Sequence, residues 1–238
     1  MTGSSFGITD CCGSLVKLKN TVKSLYSSMM REFLDSEISA LSRKFRAAKP
    51  FPHLVIENFL ANHKLLMALE NEKFYRKDSD LFSFSQSNNL FYSKSPVVSA
   101  AVKMFSSQQF AALIGKISGI KLKAGAVDVS ASLYEKTDYL LCHDDQLEGR
   151  KIAFISYLSK SFAAADGGAL VFLSNKVGNS RPALPLRQSK GSHPDKKVVA
   201  YPPLQNSLMI FAVSKKSWHE VEEVLADRKR YTIGGWLH

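Results

Sequence analysis

An α+β domain built on a β-sandwich or barrel is the fold class this chain predicts, and three observations predict it. The first half carries apolar residues at three- and four-residue steps, the period of helices packed on one face. Beyond Lys123 the texture changes to short β-rich segments separated by turn signals. The chain has 238 residues, 45% of them hydrophobic, which suits one large domain or one domain with a helical extension. Helices first and many short strands afterwards is the order of an α+β fold.

Taken in order, residues 1–13 are small and polar. From Leu15 the pattern predicts a helix through Leu18, Val22, Leu25, Met29 and Phe33, with Lys17, Lys19, Lys23 and Arg31 on its other faces. A break near Asp35-Ser36 starts a second helix carrying Ile38, Leu41 and Phe45. Lys49-Pro50-Phe51-Pro52 ends the helical region, because proline forbids its continuation. We therefore divide the chain into a helical extension, 1–48, and a main domain, 49–238. His53 to Glu57 reads as a strand, 60–69 as a helix and 75–92 as a loop with short extended pieces. Helices follow from Ser95-Pro96 and over 110–117. Strands are expected at 127–134, 152–158, 169–173, 207–213, 218–221 and 230–237. Asp166-Gly167-Gly168 marks a tight turn, since glycine tolerates positive φ. Residues 174–203 lack periodicity, are rich in Lys, Arg and Pro, and read as one long loop that is disordered or functional.

No apolar run approaches the roughly 18 residues a membrane helix needs, so no membrane partner is expected. The start has no basic segment followed by an apolar one, so no secretory signal is expected. Three cysteines, two of them adjacent at Cys11-Cys12, give neither a disulfide framework nor metal spacing. That usage suits a reducing compartment, cytoplasm or nucleus. The net charge of +11 raises the expectation of an anionic partner such as ribosomal RNA, reached through the basic helix and the long loop. No zinc-finger, RNP or Gly-x-x-Gly clamp is present.

The chemistry concentrates in Leu140-Leu141-Cys142-His143-Asp144-Asp145, between two predicted strands. On an extended segment His143 and Asp145 project to one face. Two His and one carboxylate with open coordination positions form the facial triad of non-heme Fe(II) oxygenases, and His219 is the candidate third ligand. Read singly, His143-Asp145 is an exposed turn and His219 a core histidine bonded to a carbonyl. Arg230 changes the balance, because a chelating dicarboxylate needs its far carboxylate held and Arg does so with a bidentate fork. Thr232, two residues on, faces the same way in a strand. The bland reading of Arg230 is a surface charge in the run Arg228-Lys229-Arg230.

His-x-Asp, a distal His and an Arg-x-Thr about ten residues later resemble the Fe(II)/2-oxoglutarate-dependent oxygenases. Within them the chain resembles the ribosomal prolyl 3-hydroxylases of yeast and animals. The resemblance spans roughly residues 50–238 and rests on Leu140 to Leu158, Asp166-Gly167-Gly168-Ala169-Leu170, Trp218 to Leu225, and Arg230 to His238. It implies a double-stranded β-helix (jelly roll) with buttressing helices. It implies His143, Asp145 and His219 as iron ligands, Arg230 on the distal carboxylate of 2-oxoglutarate, and Tyr157 and Tyr134 as tyrosines touching that co-substrate. Read alone, the two tyrosines are ordinary core or rim aromatics. Thr232 stands where the superfamily often has Ser, keeping the hydroxyl. The yeast and animal relatives carry a second, non-catalytic β-helix domain after this one, and functions of that domain are not expected of these residues.

The activity implied is hydroxylation at C3 of a prolyl residue in a small-subunit ribosomal protein. Fe(II), 2-oxoglutarate and O2 are required, ascorbate supports the metal, and succinate and CO2 are released. A basic enzyme does not attract a basic ribosomal peptide, so the acidic patch Glu220, Glu222 and Glu223 is expected to face the substrate. Two other classes stay open: an oxidative nucleic-acid demethylase, and a non-catalytic RNA- or ribosome-binding factor on the same scaffold.

Overall fold

The computed structural model describes residues 29–61, 64–174 and 196–238. Most of the expected helix from Leu15 lies outside them, as does most of the long loop. At the end of that expected helix, residues 29–34 are not helical. Met30 forms a β-bridge with Leu60, and the Arg31 amide donates to the Phe59 carbonyl at 3.1 Å. Burial of Met29 and the bridge override the local helical pattern.

Four α-helices are described: α1 (Asp35–Ala47), α2 (Leu65–Leu69), α3 (Pro96–Phe105) and α4 (Gln108–Ser118). Sequence chemistry sets their ends. Ser95 caps α3 by accepting from the Val98 amide, with Pro96 in the first turn where its missing N–H costs nothing. Ser107 caps α4, which stops at Gly119 in the left-handed region. Phe45 of α1 is buried in the same core as these helices and the strands beneath them.

The strands are β1 (His53–Ile56), β2 (Phe74–Ser79), β3 (Phe82–Ser87), β4 (Val127–Tyr134), β5 (Tyr139–His143) and β6 (Ile152–Tyr157). They continue with β7 (Leu170–Ser174), β8 (Lys196–Tyr201), β9 (Ser207–Ala212), β10 (His219–Val221) and β11 (Arg230–Leu237). They join in one curled antiparallel sheet, ordered β1-β9-β6-β11-β4-β3-β5-β10-β7-β8, with β2 hanging from β3. β3 turns the corner: Ser85 and Gln86 pair with β4, Phe82 and Ser83 with β5. The sheet folds over so that its two end strands meet. His53 of β1 and Tyr201 of β8 hydrogen-bond through Nε2 and the phenol oxygen.

The strands of the larger layer are apolar on both faces, with opposite duties. On β11, Tyr231, Ile233 and Leu237 join the core beneath the helices, while Arg230, Thr232, Gly234 and Trp236 line the space between the layers. On β9, Leu208 and Ile210 go to the helices and Met209 and Phe211 inward. Phe105 and Phe110 lie 4.9 and 5.6 Å from Phe154 of β6, which fixes α3 and α4 to the outer face. This is the predicted double-stranded β-helix with buttressing helices.

Two segments differ from expectation. Residues 75–92 hold the β2–β3 hairpin rather than a loop, and residues 196–201 within the expected loop form β8. Both β2 and β8 are polar, exposed strands with little apolar alternation, so pairing with a neighbour makes them strands.

Candidate active site

β5 and β10 are hydrogen-bonded antiparallel neighbours, and their register sets His143 directly opposite His219. The two rings stand 4.1 Å apart between centroids. Each Nδ1 lies within hydrogen-bond distance of a backbone carbonyl, Leu141 at 2.9 Å for His143 and Ser217 at 2.8 Å for His219. An N–H donated there leaves each Nε2 free as a lone-pair ligand, the tautomer a metal needs. Phe211 packs its ring 4.7 Å from that of His219 and holds it from the side.

Asp145 completes the cluster by a different route from the one its spacing suggests. β5 ends at His143, and Asp145 sits beyond it in the left-handed region, φ 59°. That sharp turn, tied by the Ser217 hydroxyl donating to the Asp144 carbonyl, swings the carboxylate back between the imidazoles. Its oxygens lie 3.4 Å from His143 Nε2 and 3.3 Å from His219 Nε2. One ligand atom from each residue fits within 4.8 Å of the others. Burial alone would raise the Asp145 pKa, but the charges and hydrogen bonds of His219 and His143 hold it well below the usual carboxylate range. For His143, burial works downward, and the bond and charge of Asp145 outweigh it, so its pKa is raised. Two neutral-capable imidazoles and one ionised carboxylate, close-set with one side open, could hold a divalent transition metal.

Behind the cluster the wall carries a second charge. Arg230 is 2% exposed, so the surface-charge reading fails. Its Nε and Nη2 are buried without hydrogen-bond partners, as are the Tyr157 hydroxyl and the Trp236 indole nitrogen. Its guanidinium carbon lies 4.9 Å from the Tyr134 ring centre and 5.1 Å from that of Tyr157. Burial pushes both phenols up, against the downward pull of Arg230, so they stay protonated donors. Thr232, register partner of Tyr157, lies on the same wall as Arg230. Gly168, φ 68°, backs the group: a Cβ there would come within 3.3 Å of the Arg230 Cδ. A buried guanidinium with idle donors among phenol and threonine hydroxyls calls for a carboxylate. The residues present fit a dicarboxylate chelating the metal at its other end. A cavity of about 170 Å³ connects the two sets.

Sequence reasoning does not single out three neighbours. Arg150 stacks over the Trp236 ring at 3.4 Å. Phe84 lies parallel to Tyr134 at 5.0 Å, and Gln86 donates to Ser130 across β3 and β4. Phe84 and Gln86 fall in the stretch read as loop, where alternation of Phe82, Phe84 and Gln86 is the available signal. The acidic patch is a correction. Glu220 follows His219 on β10 and so projects to the opposite face, where Lys197 pairs with it at 3.3 Å and with Glu222 at 2.8 Å. It lies outside the cavity.

The fold and this site define a 2OG-Fe(II) oxygenase. The family model described as the 2OG-Fe(II) oxygenase superfamily matches residues 129–238, and the chain belongs to that superfamily. In sequence it is 38% identical over 194 residues to the mouse (Mus musculus) protein named prolyl 3-hydroxylase OGFOD1, across 79% of this chain and 33% of that one. It is also 38% identical over 194 residues to the Xenopus laevis protein of the same name, across 79% of this chain and 35% of that one. A protein of Ostreococcus tauri named prolyl 3,4-dihydroxylase OGFOD1 is 29% identical over 232 residues, across 90% of this chain and 42% of that one. The chain thus spans about a third of the length of the first two. Among solved structures, a Trichoplax adhaerens prolyl hydroxylase bound to a hypoxia-inducible-factor peptide superposes with a TM-score of 0.56 at 15% identity, covering 96% of this chain and 94% of that one. A Pseudomonas putida prolyl-4-hydroxylase gives 0.55 at 15% identity, covering 83% and 98%. These two likenesses concern the fold.

Proposed function

We propose that residues 49–238 form the catalytic domain of an Fe(II)- and 2-oxoglutarate-dependent prolyl hydroxylase that acts at C3 of a prolyl residue. One observation carries this reading: the His143, Asp145, His219 cluster and the buried, unpaired Arg230 open into one cavity. The names of the relatives support the prolyl substrate. A small-subunit ribosomal protein as the target, and with it a cytoplasmic or nuclear location, rests on the sequence resemblance.

When bound, the metal and 2-oxoglutarate supply O2 activation coupled to decarboxylation of the 2-oxo acid, and ascorbate keeps the metal reduced. The chain supplies the rest. His143, Asp145 and His219 hold the metal on one side, with the two imidazoles locked in place by their carbonyl partners. Arg230 takes the far carboxylate of the co-substrate, and Tyr157 and Thr232 offer hydroxyls beside it. Phe84, Tyr134 and Trp236 give the remaining wall an apolar character against which a pyrrolidine ring packs. Leu170, Phe211 and Val221 keep water from the inner end.

The test is 2-oxoglutarate turnover with Fe(II), followed as succinate, with and without proline-containing ribosomal peptides, beside His143→Ala. Peptide-stimulated turnover with a product heavier by one oxygen atom, absent in the variant, is the expected result. Stimulation by methylated RNA or DNA instead, with no peptide response, would replace this reading with a nucleic-acid demethylase. Silence with both would leave a binding scaffold.

A further inference from the structure

We propose that Gln86 is a specificity-determining residue. Its side-chain carbonyl oxygen accepts the main-chain N–H of the residue that follows the target proline, so a proline followed by a second proline is rejected. This rests on the hydroxylase reading and names what the substrate must carry beside its ring.

Strand register fixes the height of Gln86 in the cavity. On the inner face, Gln86 of β3 pairs with Ser132 of β4, and Ser132 with Thr232 of β11. One same-face step toward the buried end, Tyr134 pairs with Arg230, where the far carboxylate of the co-substrate belongs. One step toward the mouth, about 7 Å along the strands, Ser130 pairs with Gly234. The step after that reaches Trp236. Gln86 Nε2 donates to the Ser130 hydroxyl oxygen at 3.2 Å, so the side chain leans from the Thr232 level toward the Gly234 level. Ser130 and Gly234 are small and leave room between Gln86 and Trp236, and all four line the same cavity as the metal cluster.

Among the described residues, the bond to Ser130 is the hydrogen bond that Gln86 makes, and its Oε1 meets no donor. The co-substrate does not supply one. At neutral pH 2-oxoglutarate carries two carboxylates and a ketone, all acceptors, which repel a carbonyl oxygen. Once a peptide shuts water out of the mouth, the donor has to come from that peptide, since an acceptor left unpaired weakens binding.

The chemistry of proline then selects the donor. A prolyl residue has no N–H of its own. With C3 presented to the metal, the N–H of the following residue is separated from C3 only by the α carbon and the carbonyl carbon. The N–H of the preceding residue lies further off, beyond the ring nitrogen and a whole peptide unit. The following N–H is thus the main-chain donor nearest the reacting carbon, and Gln86 offers the matching acceptor at the height between Thr232 and Trp236.

The test is anisotropy of a labelled peptide on the full chain, under nitrogen, with Mn(II) and saturating 2-oxoglutarate. The parent is the proline peptide that most stimulates turnover in the assay above. A second form replaces the amide after the proline with an ester, which removes the N–H, and a third places proline there. Wild type should bind the ester about tenfold more weakly than the parent, as expected for an acceptor stripped of its donor, and the Pro-Pro form at least as weakly. Gln86→Leu should bind parent and ester alike. Gln86→Glu keeps an acceptor oxygen and should restore the preference. Equal binding of parent and ester by wild type overturns the proposal, as does a preference that persists in Gln86→Leu. A preference lost in Gln86→Glu as well overturns it too, because the side chain would then be donating to a peptide carbonyl. Turnover of the parent by wild type with Fe(II) and O2 reports on the hydroxylase reading separately. Intact turnover without the preference removes this inference alone, and no turnover of any proline peptide removes both.

Discussion

His143 and His219 are register partners on adjacent antiparallel strands, and their rings stand 4.1 Å apart. The metal cluster is therefore held by backbone pairing as much as by its side chains. Only Asp145 comes from outside the sheet, in a left-handed turn.

Replacing Asp145 with Ala should leave the two imidazoles in place and still lower metal affinity by more than the ~10–100-fold typical of changes to groups that merely support a ligand. His143→Ala and His219→Ala should each do the same. Calorimetric titration with Mn(II) or Co(II) measures it, and wild-type affinity in any of the three would remove that residue from the ligand set.

Arg230→Leu has two opposite expected effects. Burying an uncompensated guanidinium is costly, so the variant without co-substrate should melt no lower than wild type. Saturating 2-oxoglutarate with a divalent metal should stabilise wild type by about 2.7 kcal/mol at roughly 100 times its dissociation constant. The variant should gain no more than the divalent metal alone gives it. Scanning fluorimetry reads both.

His53 provides the pH dependence. Burial lowers its pKa despite the Phe51 carbonyl beside it, so the folded protein favours the neutral ring. A folded-state pKa below the unfolded value gives stability that is complete above about pH 6.5 and lost as pH falls through the folded value. The melting temperature should fall below that point, and His53→Gln should flatten the slope.

Gly235 tests the packing of β11 on β4. A Cβ there would lie 1.7 Å from the Asp128 carbonyl oxygen, which belongs to backbone and cannot swing aside. Gly235→Ala should cost more than about 3 kcal/mol, in the upper range for single substitutions. Urea unfolding decides it.

The legible parts of this fold are those where sequence carries its own periodicity. β4 coincides with its predicted strand because Val127, Val129, Ala131 and Leu133 recur at every second position, and β11 because Tyr231 and Ile233 do the same. β2 and β8 are not legible, since exposed strands owe their conformation to pairing partners. Of the candidate site, His143, Asp145, His219 and Arg230 stand out by residue type, but the left-handed turn that brings Asp145 back to the imidazoles is not written in its spacing. Arg150 over Trp236, and the direction of Glu220, need the sheet itself.

β11 lies between β6 and β4, two strands made some seventy-five to a hundred residues earlier. During vectorial synthesis at about 5–20 residues per second, both must wait with a bare hydrogen-bonding edge until residues 230–237 emerge. The nascent chain is thus a split sheet, open to chaperones and to mispairing, until its keystone strand slides in. Arg230 arrives on that same strand, so closure of the fold and completion of the co-substrate wall are one event.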